Sequence, residues 1–282
     1  MSLSVTDTPE RVTAPRQVDT IIIGSGFAGL GAAIKLTQQG KTNFLVLERG
    51  SDVGGTWRDN TYPGAACDVP SHLYSYSFAL NPDWTRSFSA QPEIQKYIAS
   101  VARKYKVMDK HVFNSDVTSA TWNEDTHRWD IVASTGTYTA KIVVTAVGAL
   151  CEPNLPPIKG IESFQGDVFH SAQWNHDVSL KDKRVAVIGT GASAIQIVPT
   201  IADEVEHLDV YQRTAPWILP RFDREYTSIE KLAFKYIPGF QRLSRSAIYL
   251  ARETQVVGLA KNPKLMKALE IMARRQISTG IK

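Results

Sequence analysis

Cysteine is scarce in this sequence, which has only Cys67 and Cys151 among its 282 residues. Two thiols can form at most one disulfide bond, so the disulfide-stapled scaffolds of small secreted proteins are excluded. We expect both thiols to be reduced, which favours a cytoplasmic location.

Long apolar runs are also absent. No segment approaches the roughly 18 consecutive apolar residues that a membrane-spanning helix requires, so no membrane span is predicted. Residues 1–16 are polar, include Pro9 and Pro15, and lack the apolar segment of a signal peptide. We therefore expect residues 1–17 to be a flexible leader.

Blocks of a single charge sign are missing as well. The formal net charge is +4 and the pI is about 8.9, but Lys and Arg are interspersed with Asp and Glu through most of the chain. Nucleic-acid binding is therefore not indicated, although a few of these cations would suffice for a pocket that binds phosphate groups.

Two catalytic patterns are lacking. The sequence has no closely spaced cysteine pair and no His-x-x-x-His, which argues against a metal enzyme. It also has no Gly-x-Ser-x-Gly, the turn that carries the nucleophile of many hydrolases. The chain, 43% hydrophobic and 21% charged, is nevertheless long enough for one large or two ordinary domains.

A glycine-rich turn follows the first predicted strand. Residues 18–23 are mostly β-branched, and G-S-G-F-A-G then precedes a segment with helical periodicity. Gly24 permits the turn, Gly26 lets backbone N–H groups approach a pyrophosphate, and Gly29 lets the helix pack closely on the strand. Glu48 follows a second predicted strand and can accept both hydroxyls of an adenosine ribose. The pattern predicts a dinucleotide site that NAD or FAD would fit.

The following tract, residues 54–76, is rich in glycine, proline and aromatic residues. Trp57, Tyr62, Tyr74 and Tyr76 are more rings than an ordinary exposed loop carries. A flat isoalloxazine lying against this tract would account for them. The alternative is a well-packed surface loop whose aromatic side chains fill the core.

The middle of the chain predicts one helix and a small antiparallel insert. Helical spacing covers residues 92–107, and alternating residues predict strands over 112–120, 121–123, 129–133 and 137–147. The segment C-E-P-N-L-P-P, residues 151–157, can continue neither a central strand nor a helix. We place a domain boundary there.

The chain then repeats its first motif. A second apolar strand is predicted over 184–188, and a helix follows the turn. The residues of this turn are candidate cofactor-binding residues: Gly189, Thr190, Gly191, Ala192, Ser193 and Ala194. Glu48 lies 24 residues after Gly24 in the first copy. The residue 24 positions after Gly189 in the second copy is Arg213, which follows neutral Gln212.

The charges of the two copies differ at these positions. A ribose 2′-phosphate would be repelled by Glu48, but attracted by Arg213 and the hydroxyl of Thr214. The first site therefore suits FAD and the second suits NADPH. The alternative is that Arg213 is a solvated cation at the end of a strand.

A connector, F-Q-G-D-V-F-H-S-A-Q-W, occupies residues 164–174 between the two turns. Phe164 and Trp174 are apolar anchors, Gly166 has a permissive backbone, and His170 can change its protonation near neutral pH. From residue 230 onward, helical spacing predicts two or three helices, interrupted at residues 238–239 and 262–263.

Two segments resemble the signatures of one family. The pattern G-G-x-W-x-x-x-x-Y-P-G-x-x-x-D over residues 54–68, and F-x-G-x-x-x-H-x-x-x-W over 164–174, resemble type I Baeyer–Villiger monooxygenases. These class B flavoprotein monooxygenases use FAD, NADPH and O₂. Trp174 favours this branch over related flavin monooxygenases with Tyr or Phe there, while Asn175 departs from its usual Pro or Asp.

The resemblance implies roles for individual residues. Asp68 would be a catalytic residue beside the flavin and the nicotinamide, and Val117 would meet the adenine through its backbone. His170 would act in domain movement rather than in proton transfer. The residues implied to line the FAD site are Thr56, Trp57 and Tyr74.

The predicted fold is α/β, with two dinucleotide-binding (Rossmann-like) domains and a helical insertion. We expect an FAD-binding domain over 18–152, a linker over 153–183, an NADPH-binding domain over 184–220 and the insertion over 221–282. Family members continue past the position of Lys282 and supply a catalytic arginine there. The resemblance therefore implies that a C-terminal part is missing and that both domains are incomplete.

By this resemblance, the expected function is an FAD- and NADPH-dependent Baeyer–Villiger oxidation. One oxygen atom of O₂ would be inserted beside a ketone carbonyl to give an ester or a lactone, and the expected partners are a small ketone or sulfide and O₂. Two alternatives stay open: an N- or S-oxygenating flavin monooxygenase, and a noncatalytic dinucleotide-binding protein.

Overall fold

The computed structural model of the protein describes residues 14–216, 218–261 and 266–280. Most of the predicted leader lies outside these residues, and strand β1 (Arg16–Ile23) begins two residues before the predicted start. The chain divides into two compact units, Met1–Arg58 with Ile98–Cys151, and Asp59–Tyr97 with Glu152–Lys282. The predicted FAD-binding domain, 18–152, thus draws on both units.

The first unit contains a six-stranded mixed sheet in the order β3-β2-β1-β6-β5-β4. β1 pairs in parallel with β2 and β6, β2 pairs in parallel with β3, and β5 is antiparallel to both β4 and β6. The further strands are β2 (Phe44–Leu47), β3 (His111–Val112), β4 (Val117–Asn123), β5 (Arg128–Ala133) and β6 (Gly136–Thr145).

The predicted elements of the middle segment differ from the observed ones in their bounds, and the strands predicted over 121–123, 129–133 and 137–147 correspond to the end of β4, to β5 and to β6. The strand predicted over 112–120 is divided into β3 and β4, because Asn114 has a positive φ of 53° that interrupts an extended chain. The predicted helix 92–107 is α3 (Gln91–Lys104), which ends shortly before Lys106 at φ 55°. The antiparallel pairing of the insert, β4 with β5 and β5 with β6, is as predicted.

The core of the first unit lies on both faces of β1 and β2. Ile21 and Leu47 belong to one cluster, together with Tyr138 of β6, whereas Ile22 is equally buried on the opposite face. Helix α1 (Phe27–Gln38) contacts β1 and β2. Its buried residues are Gly29, Leu30, Ala33 and Ile34, at the spacing of one helix face.

Within the described residues, the second unit contains a βαβ motif followed by three further α-helices. β7 (Arg184–Ile188) and β8 (His207–Tyr211) are parallel, with α4 (Ala192–Ile201) between them in the chain. The helices that follow are α5 (Ser228–Tyr236), α6 (Phe240–Ala260) and α7 (Lys267–Gly280), and the short helix α2 (Thr56–Asp59) spans the boundary between the two units. Across the described ranges, no helix is both long and apolar enough to cross a membrane.

Candidate functional site

The first glycine-rich turn requires two of its glycines. Gly24 has φ 99°, its N–H donates to the carbonyl oxygen of Leu47 at 2.8 Å, and a Cβ atom there would lie 2.6 Å from the carbonyl oxygen of Ala146. A Cβ atom on Gly29 would overlap the carbonyl oxygen of Gly24. The turn and α1 therefore approach β1 as closely as a dinucleotide-binding motif requires.

A second glycine pair lies against this turn. The N–H of Gly54 donates to the carbonyl oxygen of Ser25 at 2.9 Å, and a Cβ atom on Gly55 would lie 3.1 Å from Gly26 Cα. Gly26 caps α1 without a side chain, and the first helical turn has no acidic residue. Bare backbone at a helix N-terminus favours an anion such as a pyrophosphate.

Glu48 is buried and engaged by three donors. Its Oε2 accepts from the N–H of Ser25, and its Oε1 accepts from the N–H of Gly50 and from Nη1 of Arg58, each at 2.7 Å. A carboxylate offers about four acceptor positions. Glu48 can therefore accept one ribose hydroxyl with these bonds intact, and accepting both hydroxyls requires one of the three donors to move.

Two residues beside Glu48 had no predicted role. Ser25 is fully buried, and within the described residues its Oγ has no hydrogen-bond partner. An orphaned buried hydroxyl beside the glycine turn fits a site whose polar partner is a ligand. Arg58 follows Thr56-Trp57, and no spacing rule connects it with Glu48, so the pair is visible only in the structure.

The other predicted FAD-lining residues fall in both units. Thr56 and Trp57 open α2, with Trp57 buried, and Val117 opens β4; all three belong to the first unit. Asp68 and Tyr74 belong to the second unit, where Asp68 is exposed and Tyr74 is half-buried. Three of these predicted residues thus belong to the first unit and two to the second.

Asp68 follows a buried cysteine. Cys67 is 4% exposed, and its N–H donates to the carbonyl oxygen of Ser89 at 3.0 Å. Burial raises the pKa of the Cys67 thiol to about 11, so it is protonated at neutral pH. Both cysteines are free thiols, as predicted.

The second glycine-rich turn repeats the first in its backbone. The N–H of Gly189 donates to the carbonyl oxygen of Tyr211 at 2.9 Å, as Gly24 does to Leu47. Gly189 has φ 109°, Gly191 caps α4, and a Cβ atom on either would meet nothing within 4 Å. Thr190 lies in the turn, and the residues that open α4 are Ala192, Ser193 and Ala194. The turn leaves open space for a ligand to approach the backbone.

Strand register corrects the residue count between the two copies. Ile23 pairs with Leu47, and Ile188 pairs with Tyr211, so the position equivalent to Glu48 is Gln212 rather than Arg213. The second copy is one residue shorter between its turn and the end of its second strand, which sequence counting could not detect.

The second copy holds no carboxylate at this position. Nε2 of Gln212 donates to Oγ1 of Thr190 at 3.1 Å, and Arg213 and Thr214 follow as exposed residues. The neutral amide of Gln212 does not repel a ribose phosphate. The cation of Arg213 and the hydroxyl of Thr214, both exposed, can attract one.

The connector is a local structure of the second unit. Nδ1 of His170 accepts from the N–H of Ala172 at 3.0 Å and caps a short 3₁₀ turn over Ser171–Gln173. Trp174 packs edge-on against Phe169, with ring centroids 5.1 Å apart. His170 therefore has a structural bond, and its part in domain movement stays a prediction.

The fold and these two motifs define an α/β dinucleotide-binding protein. Residues 21–264 match the family described as pyridine nucleotide-disulphide oxidoreductase, and the chain belongs to that family. It is similar to a Baeyer-Villiger monooxygenase of Streptomyces coelicolor, at 48% identity over 94% of this chain and 51% of that protein.

Solved structures show the same likeness. A cyclohexanone monooxygenase from Rhodococcus sp. Phi1, bound to NADP+, matches with a TM-score of 0.75 and 36% identity over 83% of this chain and 44% of that chain. OTEMO in complex with FAD and NADP matches with a TM-score of 0.73 and 33% identity, over 79% of this chain and 44% of that chain. The predicted resemblance and the α/β fold class are confirmed, and the chain spans about half the length of the curated relative.

Proposed function

We propose that this chain binds FAD and NADPH and acts in a Baeyer–Villiger oxidation. One oxygen atom of O₂ is inserted beside a ketone carbonyl to give an ester or a lactone. The observation that carries the proposal is the asymmetry between its two motifs, with buried Glu48 after the first turn and Gln212-Arg213 after the second. The named relative is a Baeyer-Villiger monooxygenase, and the solved relatives bind NADP+ or FAD with NADP.

The first motif fits FAD. The N-terminus of α1 and the bare backbone at Gly26 and Gly55 receive the pyrophosphate, and Glu48 and the Ser25 hydroxyl receive the ribose. When bound, FAD supplies the redox chemistry by which electrons from NADPH activate O₂. Thr56, Trp57, Tyr74 and Val117 are proposed to line the site on the strength of the family resemblance.

The second motif fits NADPH. The N-terminus of α4 receives the pyrophosphate at Gly191, and Arg213 and Thr214 hold the 2′-phosphate. Asp68 is proposed to act beside the nicotinamide and His170 in domain movement, again by resemblance. The partners are a small ketone or sulfide and O₂, and a cytoplasmic location agrees with the two free thiols.

Two glycine variants test the assignment without disturbing the fold. The nearest atom to a Cβ on Gly26 is 3.9 Å away, and a Cβ on Gly191 meets nothing within 4 Å. Gly26→Ala is therefore expected to weaken FAD binding alone, and Gly191→Ala to weaken NADPH binding alone, because each methyl group obstructs a pyrophosphate. Flavin absorbance and NADP+ titration measure the two affinities.

The activity itself is tested by NADPH oxidation with product analysis on a panel of ketones and sulfides. Esters or lactones from ketones are expected. Bound flavin without NADPH-dependent oxygenation would favour the noncatalytic alternative. Sulfoxides or amine oxides as sole products would favour the N- or S-oxygenating alternative.

A further inference from the structure

The loop of residues 61–68, here called the Asp68 loop, is attached to α4 by one side chain. Oε1 of Gln196 accepts from the hydroxyl of Tyr62 at 3.0 Å and from the N–H of Ala66 at 3.2 Å. Nε2 of Gln196 donates to the carbonyl oxygen of Ala66 at 2.9 Å. The Gln196 carboxamide thus forms hydrogen bonds with both the N–H and the carbonyl oxygen of Ala66, which lies two positions before Asp68.

The loop also touches the backbone of α4. Gly64 has φ 80°, and a Cβ atom there would lie 2.6 Å from the carbonyl oxygen of Gln196 and would overlap Oγ1 of Thr200. Only glycine allows this approach, since both the positive φ and the contact exclude a side chain. The loop therefore lies directly on the helix over one turn.

The remaining bonds of the loop do not replace those of Gln196. On its other side, the N–H of Cys67 donates to the carbonyl oxygen of Ser89, and the N–H of Gln91 donates to that of Ala65. These two bonds involve Ala65 and Cys67, the neighbours of Ala66. The N–H and the carbonyl oxygen of Ala66 itself are bonded to Gln196. Loss of the carboxamide would leave both groups without a partner among the described residues.

Helix α4 also carries the second dinucleotide motif. Gly191 caps its N-terminus, and Gln196 lies just over one turn further along the same ten-residue helix. A ligand at the N-terminus and the loop at Gln196 are therefore held by the same helix. Linkage between two sites is reciprocal, so a ligand that steadies the attached loop is itself bound more tightly when the loop is attached.

We propose that Gln196 is a positioning residue that locks the Asp68 loop to α4, so that occupancy of the second dinucleotide motif fixes the position of Asp68. The lock is a property of the protein alone. Its response to a nucleotide rests on the proposed function, and the two parts are measured separately below.

Cys67 reports on the lock. Its side chain is buried, so a thiol reagent reaches it only when the loop opens. In a Cys151→Ser background Cys67 is the only thiol, and Gln196→Leu is expected to raise its labelling rate by DTNB at least about tenfold, because the two half-buried main-chain groups of Ala66 lose their partner. A weak dependence of the rate on urea identifies local opening rather than global unfolding.

Two controls separate the lock from general effects of substitution. Gln276→Leu makes the same change on an exposed position of α7 and should leave the rate unchanged. Gln196→Glu keeps the acceptor but places a carboxylate against the Ala66 carbonyl. As the pH falls, the carboxyl group of Gln196→Glu regains a proton that it can donate to the Ala66 carbonyl oxygen. The labelling rate of Gln196→Glu should therefore fall towards the parent rate at low pH. Gln276→Glu, measured at the same pH values, corrects for the effect of pH on labelling itself.

The nucleotide response is measured with NADP+. Bound NADP+ should slow Cys67 labelling several-fold in the parent protein and have no such effect in Gln196→Leu, with binding followed independently by calorimetry. An unchanged rate in Gln196→Leu overturns the lock. Equal slowing in both proteins overturns the coupling. Failure of NADP+ to bind overturns the proposed function, while the lock is still decided by labelling without nucleotide.

Discussion

Arg58 donates a hydrogen bond to Glu48 over 2.7 Å, and the two side chains are only 16% and 5% exposed. We expect Glu48→Gln to lower the free energy of unfolding by about 2–4 kcal/mol, because Arg58 loses its buried anionic partner and two backbone N–H groups lose a charged acceptor. Urea unfolding of the FAD-free protein measures this change.

The matched control is Glu124→Gln, which removes the same charge from an exposed position in the turn between β4 and β5. Surface substitutions of this kind usually change stability by less than about 0.5 kcal/mol. Equal losses in the two variants would show that the Glu48 network is not stabilising.

Nucleotide preference is expected to depend on Arg213. Arg213→Gln should weaken NADP+ binding by about tenfold or more and leave NAD+ within about twofold, since only NADP+ carries the 2′-phosphate. Calorimetric titration of both nucleotides measures the effect. Arg184→Gln, at the opposite end of β7 from the turn, removes an equal charge and should change neither affinity. Parallel losses for NADP+ and NAD+ in Arg213→Gln would contradict the assignment.

The glycine turns could be predicted from the sequence because their backbone restricts residue type. Gly24 and Gly29 face carbonyl oxygens that exclude any Cβ atom, so the local pattern carries the information. The equivalence of Arg213 and Glu48 was wrong because it depended on a loop length, and strand register assigns Gln212 instead.

The sequence does not predict residues whose hydrogen-bond partners are main-chain groups far away in the chain. Gln196 binds Ala66, and Arg245 binds carbonyl groups near residue 73, across more than a hundred residues of chain. Neither local spacing nor residue type predicts such a partner, since any carbonyl group can accept from an amide or a guanidinium. These contacts depend on tertiary structure alone.

Arg245 of α6 is expected to be a major stabilising contact of the second unit. Its Nη1 donates to the carbonyl oxygens of His72, Leu73 and Ser75, and burial lowers the pKa of its guanidinium. Arg245→Met should lower the free energy of unfolding by about 2–4 kcal/mol, because these carbonyl groups lose a charged donor. The control is Arg242→Met, on an exposed position of the same helix.

His72 is expected to make the stability depend on pH. It is 1% exposed, and its Nε2 has no hydrogen-bond partner among the described residues. The centroid of its ring lies 4.3 Å from the ring centroid of Phe234 and 5.2 Å from that of Tyr226. Burial, and next the charge of Arg245, lower its pKa to about 4, against a smaller opposing effect of Glu230. The neutral form is therefore the one that fits this site.

The sign of the dependence follows from which state binds the proton first. In the unfolded chain the pKa of histidine is about 6.5, so as the pH falls the unfolded state is protonated before the folded state. The contribution of His72 is full above about pH 6.5 and is lost as the pH falls towards about 4; for the shift cited, the loss amounts to about 3 kcal/mol. Urea unfolding between about pH 7.5 and about pH 5 should show this slope.

The variant His72→Gln separates this residue from the rest of the protein. A neutral amide cannot take up the proton, so the slope should become shallower in the variant. Burial also lowers the pKa of His111, which lies in the first unit and contributes a slope of the same sign. The contribution of His111 to the pH dependence of the unfolding free energy should persist in His72→Gln and disappear in His111→Gln. If His72→Gln keeps the full pH dependence of the parent, His72 is not protonated on unfolding and its buried environment does not control the stability.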